Sequence, residues 1–523
     1  MLIYGPWFSF EPYPVVPLPD FIGRMVERTP DRPAFISIDG QEHSFAAVWK
    51  AARGLTRVLQ DDGLGKGERV AIFSPNAPEY FVAFQAILSA GGTVTTMNPL
   101  YKEREVLHQL EDCQATAIFV ARPLEPLIQS VREQLPHLRQ VYHLEAVWEM
   151  AAQAPGEPYP VSIDPQKDVA VLPYSSGTTG LPKGVMLTHY NLTSNIRQLL
   201  ANGLINRYSV LLDFLPFYHI YGMTVLMSAG FAVGTTQVVM PRFDPETCLE
   251  LIQRYRITNL FVVPPALLAL INVPNPTRFD TSSLEFILSG AAPLPPEVAK
   301  QAQSLYGCTV LQGYGLTETS PVTNTNPVHR IKLTSVGPPI ADTLEKIVDL
   351  DDGHELGPHE IGELLVKGPQ VMQGYWQRPE ESAESFTSDG WLRTGDIAQA
   401  DEEGYVYIVD RKKEMIKYKG YQVAPAELEA LLMEHPAVFD AAVVPKPDPA
   451  AGEVPKAFVL LRSEARASAE EILRFVEERV APYKKIRDIE FVDAIPKTLS
   501  GKILRRDLIA QERAKARQAE KKG

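Results

Sequence analysis

The chain is poor in the features that would send it out of the cytosol. It holds three cysteines in 523 residues, Cys113, Cys248 and Cys308. Three scattered thiols make neither a disulfide framework nor a zinc site, and they suit a reducing cytoplasm, which is the expected location. Positive charge is in deficit: 51 Lys and Arg stand against 64 Asp and Glu, a net charge of −13, which argues against general nucleic-acid binding. The N-terminus, Met1-Leu-Ile-Tyr-Gly-Pro, lacks the basic start and sustained apolar core of a secretion signal, and Lys-Lys-Gly523 is not a peroxisomal address. From Phe214 to Pro241 no charge occurs apart from His219, but Gly222, Gly230, Gly234, Thr224, Thr235, Thr236 and Gln237 interrupt the run. It reads as a buried substrate wall, not a bilayer helix. Peripheral contact with a membrane stays open, as does the choice between monomer and homodimer. A Gly-x-Ser-x-Gly elbow, a His-Glu-x-x-His pair and metal-ligand His/Cys spacing are all missing, so hydrolase and zinc chemistries have no support.

A chain this long needs at least two domains. In its first third helix and strand alternate. Ser44 caps a helix whose apolar residues Phe45, Val48, Ala52, Leu55 and Leu59 follow helical spacing up to Gly63. Strand Val70–Phe73, helix Glu79–Ala90, strand Val94–Met97, helix Glu103–Cys113 and strand Ala117–Val120 follow. Such repetition predicts a parallel sheet covered on both faces. The pattern resumes with strands near Leu260–Val263, Phe286–Leu288 and Val310–Gln312, the last two feeding loops at Ser289–Pro293 and Gly313–Glu318. Ligands in open α/β sheets bind beyond the carboxyl ends of strands, where both loops fall. From Gly337 to Val409 short strands and turns predict a β-rich subdomain. Beyond it lie helix Pro425–Met433, strands Ala441–Val444 and Lys456–Leu461, and a capping box Ser468-x-x-Glu471. The charged tail from Gln511 is expected to fray. The fold class is therefore α/β: a large domain over 1–409 with its β-rich part at about 337–409, a junction at 410–413, and a small α+β domain over 414–523.

One stretch carries the chemistry. Tyr174-Ser-Ser-Gly-Thr-Thr-Gly-Leu-Pro-Lys-Gly184 combines hydroxyls, glycines and one lysine with no acid. Hydroxyls and free N–H groups donate, glycine allows close approach, and lysine adds positive charge, which together make a polyphosphate cradle. The flanking runs Val169–Leu172 and Val185–Leu187 read as strands, with Thr188 capping the next segment. It is not a Walker loop, because Pro182 and Gly184 occupy positions where that motif needs Gly and Ser or Thr.

This loop resembles the signature of the adenylate-forming superfamily, which comprises acyl-CoA synthetases, peptide-synthetase adenylation domains and beetle luciferases. Further motifs recur in order: Leu215-Pro-Phe-Tyr-His-Ile-Tyr-Gly222, Gln312-Gly-Tyr-Gly-Leu-Thr-Glu318, Gly390-Trp-Leu-Arg-Thr-Gly-Asp396, Asp410-Arg411 with Lys417-Tyr-Lys-Gly-Tyr-Gln422, and Pro496-Lys-Thr-Leu-Ser-Gly-Lys502. The resemblance spans nearly the whole chain.

It implies a two-step reaction. A carboxylate attacks the α-phosphorus of ATP, giving an acyl-adenylate and pyrophosphate, and the thiol of CoA then captures the acyl group. By that resemblance Ser175, Ser176, Gly177, Thr178, Thr179, Gly180 and Lys183 hold the outer phosphates, and Thr317 meets the α-phosphate. Glu318 is the expected Mg²⁺ ligand. Gly313, Tyr314 and Gly315 flank the adenine, and Asp396 with Arg411 takes the ribose. Lys502 bridges carboxylate and phosphate while charge builds. His219 gates an acyl pocket that Tyr221, Ser289, Gly290, Ala291 and Ala292 line. Gly420, Gln422 and Lys417 belong to the thioester step. Asp410 and Lys413 form the hinge about which the small domain turns, and that junction is expected to be exposed.

The acid is read two ways. Lys417–Glu427 and Ser289–Pro293 resemble the coumarate-ligase and luciferase branch, whereas Gly368–Pro379 resembles bacterial fatty-acid ligases. The expectation is a medium- or long-chain fatty acid, with a 4-coumarate-type aryl acid or a luciferase-like oxygenase as alternatives. Only 21 residues follow Lys502, so a built-in carrier domain is not expected.

Overall fold

The computed structural model describes residues 1–175, 182–418, 421–448, 451–463, 465–498 and 501–520. Among them, strands form four sheets. In the first, Arg69–Phe73 lies between Thr93–Met97 and Ala117–Val120, all parallel, and Gln140–His143 extends it on one side. On the other side Val169–Val171 pairs with the antiparallel Lys183–Thr188, which in turn meets Gly374–Tyr375. The second sheet runs Val322–Thr325, Thr309–Gly315, Phe286–Ser289, Asn259–Val262, Val210–Asp213, Thr236–Val239, Pro33–Ser37, Glu42–Ser44, parallel except at its two ends. Both sheets carry helices, as the alternation predicts.

Helix Pro78–Ser89 explains how the two sheets share a core. It is apolar on every side, and a helix of that kind must be buried all round. Phe81 stacks on Phe231 at 4.4 Å and lies 5.1 Å from Phe35 of the second sheet, while Val82 and Phe84 are fully buried. The amphipathic helix Phe45–Asp61 packs beside it and starts where Ser44 accepts from the Ala47 N–H at 3.2 Å.

The third sheet is antiparallel: Leu2–Ile3, Leu344–Val348, Gly362–Lys367, Leu392–Ala400 and Val406–Arg411. The fourth belongs to the smaller C-terminal unit, with Val438–Asp448 and Gly452–Leu461 at its centre and Asp488–Phe491 parallel to the latter. Ser468 and Glu471 cap the helix Ala469–Glu477 reciprocally, as their spacing predicts.

Four local expectations are corrected. Gly313–Gly315 is not loop but the end of strand Thr309–Gly315, because both glycines pair closely with Val322–Thr325. The β-rich stretch expected to end at Val409 runs on in strand Val406–Arg411. Only part of Phe214–Pro241 faces a cavity: Leu215, Pro216, Tyr218–Gly222 and Val225 line it, while Phe217, Val238, Val239 and Met240 enter the core. The tail does not fray at Gln511, since helix Arg505–Glu520 continues past it and the buried Glu512 pairs with Lys456 Nζ at 2.6 Å.

No helix among the described residues is long and apolar enough to cross a membrane.

Candidate active site

A cavity of about 1870 Å³ opens at the carboxyl ends of the parallel strands and is closed over by Lys497, Thr498 and residues 502–507 of the small unit. At one end stands the hairpin in which Ser175 pairs with Lys183 and Tyr174 with Gly184. Ser176, Gly177, Thr178, Thr179 and Gly180 lie outside the described residues. Around the hairpin stem, Glu318 Oε1 accepts from Tyr375 OH at 3.0 Å and Ser175 Oγ at 3.3 Å. Lys183 Nζ pairs with Glu381 and sits 5.4 Å above the Tyr375 ring. Burial and the neighbouring cations Lys413 and Arg378 push the Lys183 ammonium below its ordinary range. Glu318, one carboxylate in a cavity next to hydroxyl donors, fits a Mg²⁺ ion held mainly by phosphate oxygens.

Next along the cavity come Gly313, Tyr314, Gly315 and Thr317. Tyr314 OH donates to Asp396 Oδ2, and Arg411 Nε stands 3.2 Å from Asp396 Oδ1. Burial raises the Asp396 carboxyl while Arg411 and the Tyr314 hydroxyl oppose that rise. Asp396 thus sits one step behind the wall, already engaged, whereas Gly395 and Arg411 line it.

The third region is apolar. Leu215, Tyr221, Val225, Phe261, Val263 and Leu288 line it, all buried. Tyr221 opens a π-helix, Tyr221–Ser228, and its hydroxyl donates to the Leu288 carbonyl at 3.3 Å. A methyl on Gly290 would stand 3.3 Å from the Tyr221 ring, so glycine keeps this passage wide. His219 lines the cavity, and burial pushes its imidazolium down to about 4, so the ring is neutral. Its Nδ1 accepts the Tyr221 N–H at 3.2 Å, which leaves the ring proton on Nε2. Ala291 lines the cavity; Ser289 and Ala292 do not, and Ser289 is buried at the strand end.

From the small unit, Lys502 enters the cavity beside Arg411, Glu414 and Asp396. Burial and then the Arg411 charge hold its ammonium below the ordinary range. Lys502 N–H donates to Thr498 Oγ1 at 3.1 Å, and Thr498 N–H to the Lys502 carbonyl at 2.8 Å. A Cβ on Gly501 would come within 2.7 Å of Pro265 Cδ, so the two units meet closely at that turn. Three residues on, Arg505 binds Glu414 and Glu429, tying the Lys502 turn to the start of the small unit. Lys417 is exposed and outside the cavity. Gly420 and the Gln422 side chain lie outside the described residues.

The chain matches the AMP-binding enzyme family over residues 23–376, and that family's C-terminal domain over residues 427–502. It belongs to the adenylate-forming, AMP-binding enzymes. Within them it is an AMP-forming acid–CoA ligase family member. It is 37% identical to a long-chain-fatty-acid–CoA ligase of Bacillus subtilis over 97% of this chain and 98% of the relative. It is 39% identical to a 4-coumarate–CoA ligase of Pinus taeda over 96% of each. The ATP-bound crystal structure of MatB from Rhodopseudomonas palustris aligns with a TM-score of 0.87 at 29% identity, covering 94% of this chain and 98% of MatB. Apo MatB at the same coverage gives 0.78.

In this ligase the junction differs from its expected texture. Asp410 is buried, not exposed, and accepts from the Ala426 N–H at 2.9 Å and the Arg411 N–H at 2.7 Å. Lys412 Nζ pairs with Glu363 at 2.9 Å, while Lys413 is exposed at the cavity edge. Sequence reasoning also passed over Tyr375, Glu381 and Asp112. Asp112 takes Tyr174 OH at 2.6 Å and Arg378 Nη2 at 2.7 Å. The acids of Arg378-Pro-Glu-Glu381 read locally as a helix start. Only the pairing of Gly374–Tyr375 with Val185–Met186 brings them to the hairpin of Ser175 and Lys183.

Proposed function

We propose that this ligase activates a medium- or long-chain fatty acid in two steps, with ATP and then CoA as co-substrates. The observation that carries this reading is the apolar wall of Leu215, Tyr221, Val225, Phe261, Val263 and Leu288, entered past a neutral His219 and a glycine. All six of these side chains are uncharged, so none of them would meet a second charged end of the acid. Tyr221 and Phe261, edge to face at 6.4 Å, also favour a second reading, an aryl-propenoic acid.

In the first step the acid's carboxylate oxygen bonds to the α-phosphorus and the bond to the bridging oxygen breaks, releasing pyrophosphate. Lys502 neutralises charge building between carboxylate and phosphate, Thr317 donates to the α-phosphate, and Lys183 meets the outer phosphates. Mg²⁺ at Glu318 would supply further positive charge to those phosphates. Arg411 and Asp396 would meet the ribose, whose hydroxyls must compete with Tyr314. Lys502 inside and Lys417 outside, with the higher TM-score to the ATP-bound relative, support reading this arrangement as the adenylation posture. Rotation about Lys413 would then bring Lys417, Gly420 and Gln422 inward for thioester formation.

The test is pyrophosphate release over straight-chain acids from acetate upward, and over coumarate, with and without CoA. Each buried methylene should improve kcat/KM by roughly 0.8 kcal/mol until the pocket fills. A maximum at acetate or propionate ends the fatty-acid reading, and a preference for coumarate selects the second.

A further inference from the structure

Lys183 is the cation of the phosphate hairpin, yet it is already spoken for. Its ammonium pairs with the Glu381 carboxylate, a contact supplied by a distant part of the chain. The backbone that presents Glu381 is fixed. Gly374–Tyr375 pairs with the strand Lys183–Thr188, and the short helix Pro379–Glu384 follows at once. Ser382 Oγ accepts the Tyr375 N–H at 2.8 Å, and Ser385 Oγ donates to the Glu381 carbonyl at 2.8 Å. The side chain itself is only partly enclosed, 37% exposed where Lys183 is 22% exposed, which leaves room on its open side. A second seat is at hand: Glu381 Oε1 is 3.9 Å from Arg378 Nε, and Arg378 is otherwise committed to Asp112 at 2.7 Å.

We propose that Glu381 is the resident counter-ion of Lys183, displaced toward Arg378 when the outer phosphates of ATP arrive and returning as pyrophosphate leaves. This rests on the reading that Lys183 binds those phosphates. An ammonium left unpaired in a half-closed cavity is costly, and one held only by a polyanion releases it slowly. A carboxylate that exchanges with the phosphate avoids both: it weakens the binding of ATP and of pyrophosphate together. Glu381 is then a positioning residue that trades affinity for turnover, touching neither reacting atom.

The decisive set is wild type, E381Q, K183A and the double variant. ATP binding is measured by calorimetry without acid, KM and kcat for ATP by pyrophosphate release, and product inhibition by added pyrophosphate. E381Q keeps the side chain's size and removes its charge. Its ATP dissociation constant and pyrophosphate inhibition constant should each fall by roughly two- to fivefold, the range for a partly exposed ion pair. K183A should weaken ATP binding, and E381Q should change nothing further in that background. Unchanged constants in E381Q overturn the proposal. Weaker ATP binding in E381Q does so too, because it would make Glu381 a holder of Lys183 or of metal. If K183A binds ATP normally, the phosphate role of Lys183 itself fails, a separate and recognisable result.

Discussion

Replacing Gly501 by alanine tests whether the contact between the two units sets the first half-reaction. Gly501 has φ +81°, a left-handed backbone that costs an L-residue about 1–2 kcal/mol. That cost is independent of posture and should appear as a modest fall in melting temperature. The second effect belongs to one posture only. The new Cβ would sit 2.7 Å from Pro265 Cδ, where ordinary contact begins at 3.4 Å, so the surfaces must part by 3.4 − 2.7, about 0.7 Å. Pro265 is the second residue of the helix Pro264–Ile271 and offers no flexible end to yield. Lys502 is the next residue and must move with the turn. A misplacement approaching 1 Å at a reacting centre can cost on the order of 10²-fold, so adenylation should fall about ten- to a hundredfold. Thioester formation from supplied acyl-adenylate, with the small unit turned away from Pro265, should stay within about twofold of wild type. Single-turnover pyrophosphate release measures the first quantity and thioester formation the second. Equal losses in both, or a loss explained by the lower melting temperature, would refute the argument.

Lys502→Ala should cut adenylation by on the order of 10²–10³ while thioester formation from preformed adenylate persists; a matching collapse of the second step would remove Lys502 from its role. Lys413→Pro fixes φ near −65° without touching a proposed ligand contact. Adenylation should survive and thioester formation fall steeply, and a symmetrical effect, with an unchanged melting curve, would move the hinge elsewhere. His189 is 1% exposed, accepts the Leu18 N–H at 3.1 Å on Nδ1, and has its pKa pushed down to about 4 by burial. The unfolded chain, with a histidine near 6.5, takes up the proton first, so stability is full above that value. It drains as pH falls through about 4, by at most roughly 3 kcal/mol. Urea melts at neutral and acid pH should show a shallower slope in His189→Gln than in wild type, the remainder coming from groups such as the equally buried His219; equal slopes in both would assign the effect to those other groups.

Periodicity and capping made most strands of the first sheet and several helices legible, but Pro33–Ser37, Val210–Asp213, Thr236–Val239 and Val322–Thr325 of the second sheet were not read. Ser44, Thr188 and Ser468 each cap the helix that their sequence context announces. The strands on either side of the glycine-rich stretch could be read because their composition is local. What could not be read is pairing at long range. Leu2–Ile3 joins Lys346 and Glu345, and Gly374–Tyr375 joins the strand Lys183–Thr188, yet neither two-residue strand carries a pattern of its own. Tyr375 and Glu381 therefore stayed invisible as site residues, and Asp410 looked like an exposed junction because its buried partner, the Ala426 N–H, comes from the next helix. The glycines of Gly313-Tyr-Gly315 misled in the opposite sense, reading as a turn where they permit close strand pairing.

The helix Arg505–Glu520 turns the end of the chain into a structural part whose loss is felt inside the small unit. Lys456, on a central strand, is 4% exposed, and its ammonium is shared between Glu490 at 2.7 Å and Glu512 at 2.6 Å. Lys515 reaches back to the same Glu490 at 2.6 Å. A shortened chain ending before Glu512 would strip one carboxylate from a buried ammonium, a change that costs several kcal/mol when the partner is fully lost. Trimming this end to help crystallisation would loosen the platform that carries Lys502. Fusions intended to leave catalysis untouched belong after this helix and not within it.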